Sequence, residues 1–358
     1  MLIKFDESDL KLLRDLITRW SRDLGFTKVG ITDVNLDLHE KYLNEWLEKG
    51  FHGSMKYMEK HGNKRSRPSE LIDGTIRVIS VSMTYLSKNF ETNRVLNENK
   101  KAFISPYALG RDYHKVMRRR LKELSRKIEN HTSSRGRVFV DSAPVLEKAL
   151  AQKAGLGWIG KNTLLLNRQE GSYFFLGEIY TDLELPIDEP YDREHCGSCK
   201  KCLEVCPTKA FTGPNQLDAR KCISYLTIES KSSIPEELRR SIGNRVFGCD
   251  DCQICCPWNK YAKFSVEEDF MPRHNLDDSE LADLFLWTEE EFLLRTEGSA
   301  IRRAGYEGWL RNIAVALGNA GKSRKIISAL HSRINHPSEL VREHVNWALE
   351  QHSDIKKI

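Results

Sequence analysis

Apolar residues recur at helical spacing near the start of the chain, where Leu10, Leu13, Leu16, Ile17, Trp20 and Leu24 predict an amphipathic helix over 9–25. Four short runs rich in β-branched and aromatic residues read as strands: TKVGIT at 27–32, TIRVISVSMTY at 75–85, RVFVDS at 137–142 and FFLGEIYTDLEL at 174–185. Helical stretches lie between them at 112–130 and 144–154, the second with Pro144 suited to a first turn. This alternation predicts a mixed α/β or α+β unit to about residue 185. From about 276 onward the pattern is entirely helical. Trp309, Leu310, Ile313, Ala314 and Leu317 form one stripe, and Ile326, Ile327 and Leu330 a second. Val341, Val345, Ala348 and Leu349 form a third, after the break His336-Pro337-Ser338. The segment HPSELVREHVNWAL looks like a HEAT-type repeat helix, and stacked pairs of such helices present an extended binding surface. A plain helical cap is the other reading of the same stripes.

Between these regions the pattern breaks into loops, and the chemistry concentrates there. All nine cysteines fall between Cys196 and Cys256. Cys196-x2-Cys199-x2-Cys202-x3-Cys206-Pro207 is the bacterial ferredoxin spacing, in which three thiolates hold one [4Fe–4S] cluster and the fourth reaches another. Cys252-x3-Cys256-Pro257 repeats the end of that motif. Aligned so, Cys249 and Cys252 match Cys199 and Cys202, and Cys222 fills the remaining place. Exchange of the pre-proline ligands gives Cys196, Cys199, Cys202 and Cys256 for one cluster, and Cys206, Cys222, Cys249 and Cys252 for the other. Cys255 is then spare; a rival count uses Cys255 and leaves Cys222 free. Zinc also accepts paired CxxC motifs, but two CP-terminated runs at successive i+3 spacing favour iron–sulfur. Disulfides do not account for cysteines confined to one short segment. The layout expected is residues 1–187, a ferredoxin-like two-cluster module at 188–275, and a helical unit at 276–358.

Composition narrows the classes further. The 358 residues suffice for two or three domains, and 30% are charged. Mean hydropathy is −0.52, and no apolar run reaches the ~18 residues that span a bilayer. The segment MLIKFDESDLKLL lacks a signal-peptide pattern and a twin arginine, so a cytoplasmic location is expected, with no membrane partner. The net charge of +5 is unevenly placed: residues 111–137 carry ten Lys/Arg against three acids, and 295–342 carry nine against three. Solvated helix faces would explain both, but paired basic segments in a redox protein also suit a phosphate backbone. There is no GxGxxG after a strand and no Walker lysine motif, so neither a dinucleotide nor an ATP site is indicated.

Five stretches carry a resemblance: YALGRDYHK at 107–115, VDSAPVLEKALAQKAGLGWIGKN at 140–162, CGSCKKCLEVCPTKA at 196–210, LDARKCISYLTIE at 217–229 and GCDDCQICCPWN at 248–259. Together they resemble the epoxyqueuosine reductases, which complete queuosine in tRNA, and the likeness extends over nearly the whole chain. The resemblance implies an α+β chain with an N-terminal cobalamin-binding domain, two [4Fe–4S] clusters and tRNA as partner. It also implies that the position of Cys255 is not a ligand. No DxHxxG corrinoid motif marks an axial histidine. Reductive dehalogenases pair a corrinoid with two clusters in a similar way, so a corrinoid enzyme acting on a small molecule is the alternative.

Reducing an epoxide to an alkene takes two electrons and two protons, with the electrons arriving singly from the clusters. The resemblance implies that Asp141 donates a proton; by its sequence position alone it reads as the N-cap of the helix that follows. Further cofactor contacts are expected at Tyr107, Arg111, Trp158, Lys161, Asn162, Ser224 and Tyr225. Arg302, Arg303, Arg311, Lys322, Arg324 and Lys325 are expected to grip the tRNA backbone. His61, His114 and His195 read as surface or packing residues. The expected electron donor is a flavodoxin or ferredoxin, and the chain is read as a monomer.

Overall fold

The structure, a computed structural model, describes residues 5–88 and 91–353. Met1–Lys4, part of the segment read above for a leader, lie outside the described residues. The N-terminal part is a four-stranded antiparallel sheet of β1 (Lys28–Thr32), β2 (Arg77–Thr84), β3 (Arg137–Phe139) and β4 (Phe174–Thr181), ordered β1-β2-β4-β3. On one face lie helices α1 (Glu7–Asp23) and α3 (Tyr113–Thr132); a further helix, α2 (Asp37–Glu48), follows β1. On the other face lies α4 (Glu147–Lys153). The period-2 alternation of the strands sorts their side chains between these faces. Ile79, Val81, Phe175 and Ile179 meet Leu13, Ile17, Met117 and Leu121. Val78 and Tyr180 meet Ala149 and Leu150 on the reverse side.

Two glycines let the helices approach. A Cβ on Gly177 would lie 2.7 Å from Leu121 Cδ1, and one on Gly30 would lie 2.0 Å from Ala154 O. Helix α1 is closed by a capping box: the Asp6 carboxylate accepts the N–H groups of Ser8 and Asp9, and Asp9 answers to the Asp6 N–H.

Helix α4 begins at Glu147, later than its pattern predicts, because residues 140–146 form a turn first. Asp141 stands in that turn, six residues ahead of the helix, and is therefore not its N-cap. Every pairing in this sheet is antiparallel. Helix α2 escaped the sequence reading.

The C-terminal part is helical, as its stripes predict: α5 (Gly305–Asn319), α6 (Arg324–His331) and α7 (Glu339–His352). Gly318 of α5 lets α7 close in, since a Cβ there would meet Trp347 Cζ3 at 2.5 Å. The largest apolar cluster joins Ile104 and Leu109, Ile223, Val246 and Phe247, and residues of α5, α6 and α7. The segment at 102–109, the cysteine region and the terminal helices thus share one core, and Tyr107 links it to the sheet's own cluster. Among the described residues no helix is long and apolar enough to cross a membrane.

One expectation fails inside that core. Arg311, read as a tRNA contact, is 1% exposed. Its guanidinium donates to the carbonyls of Leu226, Ser230 and Ser232 and to Asn312 Oδ1, at 2.6–3.0 Å. Asn312 Nδ2 in turn donates to Thr227 O and Val246 O. Burial pulls the guanidinium pKa down to about 10, so the charge persists at neutral pH. Its fixed fork of donors satisfies a bend that would otherwise bury bare carbonyls. Arg311→Ala should therefore lower unfolding stability by about 3 kcal/mol in urea titration, the cost of stranding those groups.

Candidate functional site

Asp141 stands two residues past the end of β3, with a left-handed φ of +21°. Its carboxylate is held by two consecutive residues of the first turn of α3. The Tyr113 hydroxyl donates to Oδ2, and His114 Nε2 lies 3.3 Å from the same oxygen. His114 Nδ1 is 2.8 Å from Asp112 Oδ1, so the imidazole bridges two carboxylates. Tyr113 is itself clamped, its ring stacked on Phe175 at 4.1 Å and on His114 at 4.1 Å. The Asp141 backbone N–H donates to Glu147 Oε1 at 2.5 Å, which fixes the unusual backbone conformation.

These contacts set the charges. Burial works to raise the Asp141 pKa, but hydrogen bonds from His114 and Tyr113, with the His114 charge, outweigh it and hold the carboxyl below its usual range. Burial works to lower His114, yet Asp112 and Asp141 carry it up to about 9. At neutral pH the pair is imidazolium and carboxylate. The Asp141 side chain is nonetheless 57% accessible, an open charge set into the protein surface.

Other segments direct charge at the same carboxylate. Arg65 and Tyr57 come from the loop after α2, and Arg303 from the turn before α5. Arg303 binds Glu229 in bidentate fashion at 2.6 and 2.8 Å and lies over the Tyr57 ring. Arg65 is buried, donates to Tyr57 O at 2.8 Å, and leaves its Nε without a partner. Tyr107 is half-buried, edge-on to Tyr113, with its phenol raised by burial and by nearby acids, Asp141 among them.

The cysteines gather in two groups. Cys202 and Cys256 lie close to Cys196 and Cys199, and Cys252 lies close to Cys222 and Cys206. Backbone N–H groups of Ser224 and Tyr225, and the Ser224 hydroxyl, are aimed at the Cys222 sulfur. Cys255 stands beside the first group rather than alone, and burial pushes its thiol up to about 12. The Cys249 thiol donates to Asp251 Oδ2 at 2.7 Å. Among the described residues no three His, Cys, Asp or Glu side chains converge on a single ion; a cluster of four irons spreads its thiolates more widely. All nine thiols are free and half-buried. Burial and neighbouring cysteines raise several of their pKa values, a soft donor set that fits a cationic iron centre.

Several expected cofactor contacts are engaged elsewhere. Trp158 is fully buried among Tyr191, His195 and Trp258, with ring centroids 5.0–5.6 Å away, and has no face left for a ligand. Lys161 donates to Gly197 O and Cys199 O, and Asn162 donates to Cys252 O, so both staple the cysteine loops. Arg111 pairs with Asp269 at 3.3 Å. Tyr225 receives the Ser54 N–H on its hydroxyl at 2.7 Å.

Of the expected tRNA contacts, Arg303 belongs to the rim around Asp141. Arg302 is exposed and donates to Leu293 O, and Lys325 pairs with Glu280 and Asp283 at 2.6 and 2.8 Å. Lys322 and Arg324 are exposed around the start of α6. His114, expected as a surface or packing residue, instead bridges Asp112 and Asp141, and Tyr57, Arg65, Glu147 and Glu229 are not among the expected site residues. His114 alone carried a signal, its place beside Asp112 in DYH.

Comparison with known proteins bears directly on this arrangement. Residues 195–259 match the 4Fe-4S double cluster binding domain, and residues 65–142 match the family described as epoxyqueuosine reductase QueG, DUF1730. The epoxyqueuosine reductase of Pseudomonas aeruginosa is 61% identical over 96% of this chain and 95% of its own length. The chain belongs to the epoxyqueuosine reductase family. The Escherichia coli K12 member is 54% identical over 96% of this chain and 90% of its own. A crystal structure of an epoxyqueuosine reductase with a tRNA-Tyr epoxyqueuosine-modified stem loop superimposes with a TM-score of 0.88 at 28% identity, covering 96% and 91% of the two chains. The Streptococcus thermophilus enzyme gives 0.85 at 29% identity, covering 95% and 90%.

The His114 bridge has a consequence for stability. An unfolded histidine titrates near 6.5, whereas here the proton is held to about 9. The contribution is full below pH 6.5 and fades as pH rises through 9. The excess thermal stability of the parent protein over His114→Gln should be largest at pH 6 and nearly gone by pH 10, as measured by anaerobic calorimetry.

Proposed function

We propose that this chain reduces epoxyqueuosine to queuosine at the wobble position of the tRNA anticodon loop, with cobalamin fed by two [4Fe–4S] clusters. The observation that carries the reading is the convergence on Asp141. The sheet layer, the loop carrying Tyr57 and Arg65, the cysteine region through Glu229, and the turn before α5 through Arg303 all bear on one accessible carboxylate. Such a junction suits a substrate presented by a large RNA to a cofactor held inside.

Cys196, Cys199, Cys202 and Cys256 would hold one cluster, and Cys206, Cys222, Cys249 and Cys252 the other, with Cys255 beside the first as a bystander. Arg65, with its unpartnered Nε, fits an amide or phosphate oxygen of the corrinoid. Tyr57 and Tyr107 offer aromatic flanks, and Asp141 faces the reacting oxygen. When bound, cobalamin supplies a low-valent cobalt nucleophile and one-electron chemistry.

The residues of the chain handle the proton. In the open site it rests on His114. Covering the site removes water, which disfavours an ion pair relative to a neutral pair, so the proton passes from His114 Nε2 to Asp141 Oδ2. Asp141 then protonates the epoxide oxygen as its C–O bond opens, while Tyr113 keeps the carboxyl oriented. Asp112 stabilises the loaded imidazolium between turnovers.

The terminal helices α5, α6 and α7 form a HEAT-like stack, in a layout of 1–187, 188–275 and 276–358. Their exposed basic residues, Arg302, Lys322, Arg324 and Lys325, suit the phosphate backbone of the anticodon stem. A flavodoxin or ferredoxin would deliver electrons to a monomer in the cytoplasm, where reduced thiols and tRNA coexist.

Reconstituted protein, given reductant and tRNA containing epoxyqueuosine under anaerobic conditions, should yield a nucleoside lighter by one oxygen in mass spectrometry. Asp141→Asn should slow that conversion by about 10²–10⁴-fold without changing tRNA affinity. Failure of the parent protein to convert, with both clusters and the corrinoid bound, would turn the reading toward a dehalogenase-like reaction on a small molecule. Cys222→Ser should cost one of the two clusters by iron analysis, whereas Cys255→Ser should keep both. Charge reversal at Arg302, Arg324 and Lys325 should weaken tRNA binding and leave cobalamin binding as it was.

A further inference from the structure

Glu178 sits at the centre of β4, paired in register with Ser80 of β2 on one side and Phe139 of β3 on the other. Its side chain points to the α4 face, among Val78, Leu150 and Tyr180, and the residue is 0% exposed. Neither carboxyl oxygen makes a full hydrogen bond to a partner, and neither does the adjacent Ser80 hydroxyl. An ionised carboxylate in such a place is untenable without a cation or several donors. The polar groups facing it are the Glu147 carboxyl from α4 and Ser80 from β2, with Asp141 beyond Glu147. The cations nearest Glu147 are engaged elsewhere: His114 with Asp112 and Asp141, and Lys148 with Thr163 O at 2.7 Å. Glu147 Oε1 accepts the Asp141 backbone N–H, and the two carboxyl groups lie near enough to interact electrostatically.

The proton count of the reaction leaves a gap that this pair can fill. Converting the epoxide to an alkene and water consumes two electrons, supplied by the clusters, and two protons. Both protons go to the same oxygen: one when the first C–O bond opens, the other when the second breaks and oxygen leaves as water. Asp141 and His114 together hold one proton.

Resting on the functional reading above, we propose that Glu147 and Glu178 form a buried proton store that reloads Asp141 for the second C–O cleavage. Glu147 gives its proton to the Asp141 carboxylate and recovers one from Glu178, and the pair refills from solvent after product leaves. The charge state agrees with this role. Burial, reinforced by Asp141, pushes Glu147 up to about 8, and burial drives Glu178 well above the usual carboxyl range. Both are therefore charged with protons at neutral pH, and the store empties as pH rises past 8. A purely structural role would need neither the open chain of carboxyls nor its end at Asp141.

The test combines infrared spectroscopy with single turnover of the reconstituted enzyme. The infrared difference between pH 6 and pH 10 should contain a protonated-carboxyl C=O band that titrates near 8 and disappears in Glu147→Gln, and Glu178→Gln should remove a second protonated-carboxyl band that the parent shows at neutral pH. Each variant should slow single-turnover conversion by about 10²-fold, and in Glu147→Gln the fall in rate near pH 8 should be absent, leaving only the fall near 9 set by His114. Affinities for tRNA and cobalamin should match those of the parent. Ser80→Ala, which alters the same pocket without removing a proton, should retain both band and rate. Glu147→Gln, on a half-buried helix position, keeps the question open to measurement if Glu178→Gln fails to fold. Absence of the band from the parent at neutral pH, or parent-like rates in the glutamine variants, would overturn the proposal. A parent enzyme that shows the band but converts no tRNA would instead sink the functional reading on which it rests.

Discussion

The fold depends on a buried cation. Arg311 and Asn312 of α5 gather five carbonyls from residues 226–246, the stretch that follows Cys222 and leads to Cys249. A chain that must bend sharply to carry cluster ligands exposes backbone acceptors, and buried acceptors must be satisfied. The terminal helices therefore do more than cap the molecule. They fix the path on which half the cysteines stand, and through Arg303 and Glu229 they reach the rim around Asp141. Lys161 and Asn162 do the same from the sheet layer, donating to carbonyls in both cysteine motifs.

With that frame rigid, a few contacts set the electrostatics of the site. Asp112, His114 and Asp141 share one positive charge across two carboxylates, so the carboxyl proposed as the acid rests as an ion pair. No helix N-terminus lowers its pKa, because α4 starts six residues later. What holds the carboxylate ionised is the protonated His114 beside it, with the Tyr113 hydroxyl. Glu147 and Glu178 extend the same line of carboxyl groups into the sheet.

Family membership and geometry support each other at different scales. The relatives cover almost the whole chain at above 50% identity, which accounts for an α+β architecture shared with the solved reductases. The individual contacts explain what that architecture is for. The cysteine region and the terminal helices share one core, joined to the sheet's cluster through Tyr107, so the three parts meet where an RNA-borne base, a corrinoid and two clusters would have to meet.

The sequence by itself determined the elements and the redox chemistry. Strands β1, β2, β3 and β4 and helices α1, α3, α5, α6 and α7 follow from local periodicity, and two CP-terminated runs of cysteine specify clusters through spacing alone. Asp141 was legible only through the resemblance, since its position read as a helix cap. What spacing cannot show is which way a side chain faces once distant segments pack. Arg311 looked like a surface base and is a core residue, because its partners lie about 80 residues away in sequence. Trp158, Lys161 and Asn162, expected as cofactor contacts, brace the cysteine loops in this structure. His114 and Glu178 looked ordinary and acquire their protons only from burial and from carboxylates brought in by the fold. Charge state is a property of surroundings, and only tertiary structure supplies those.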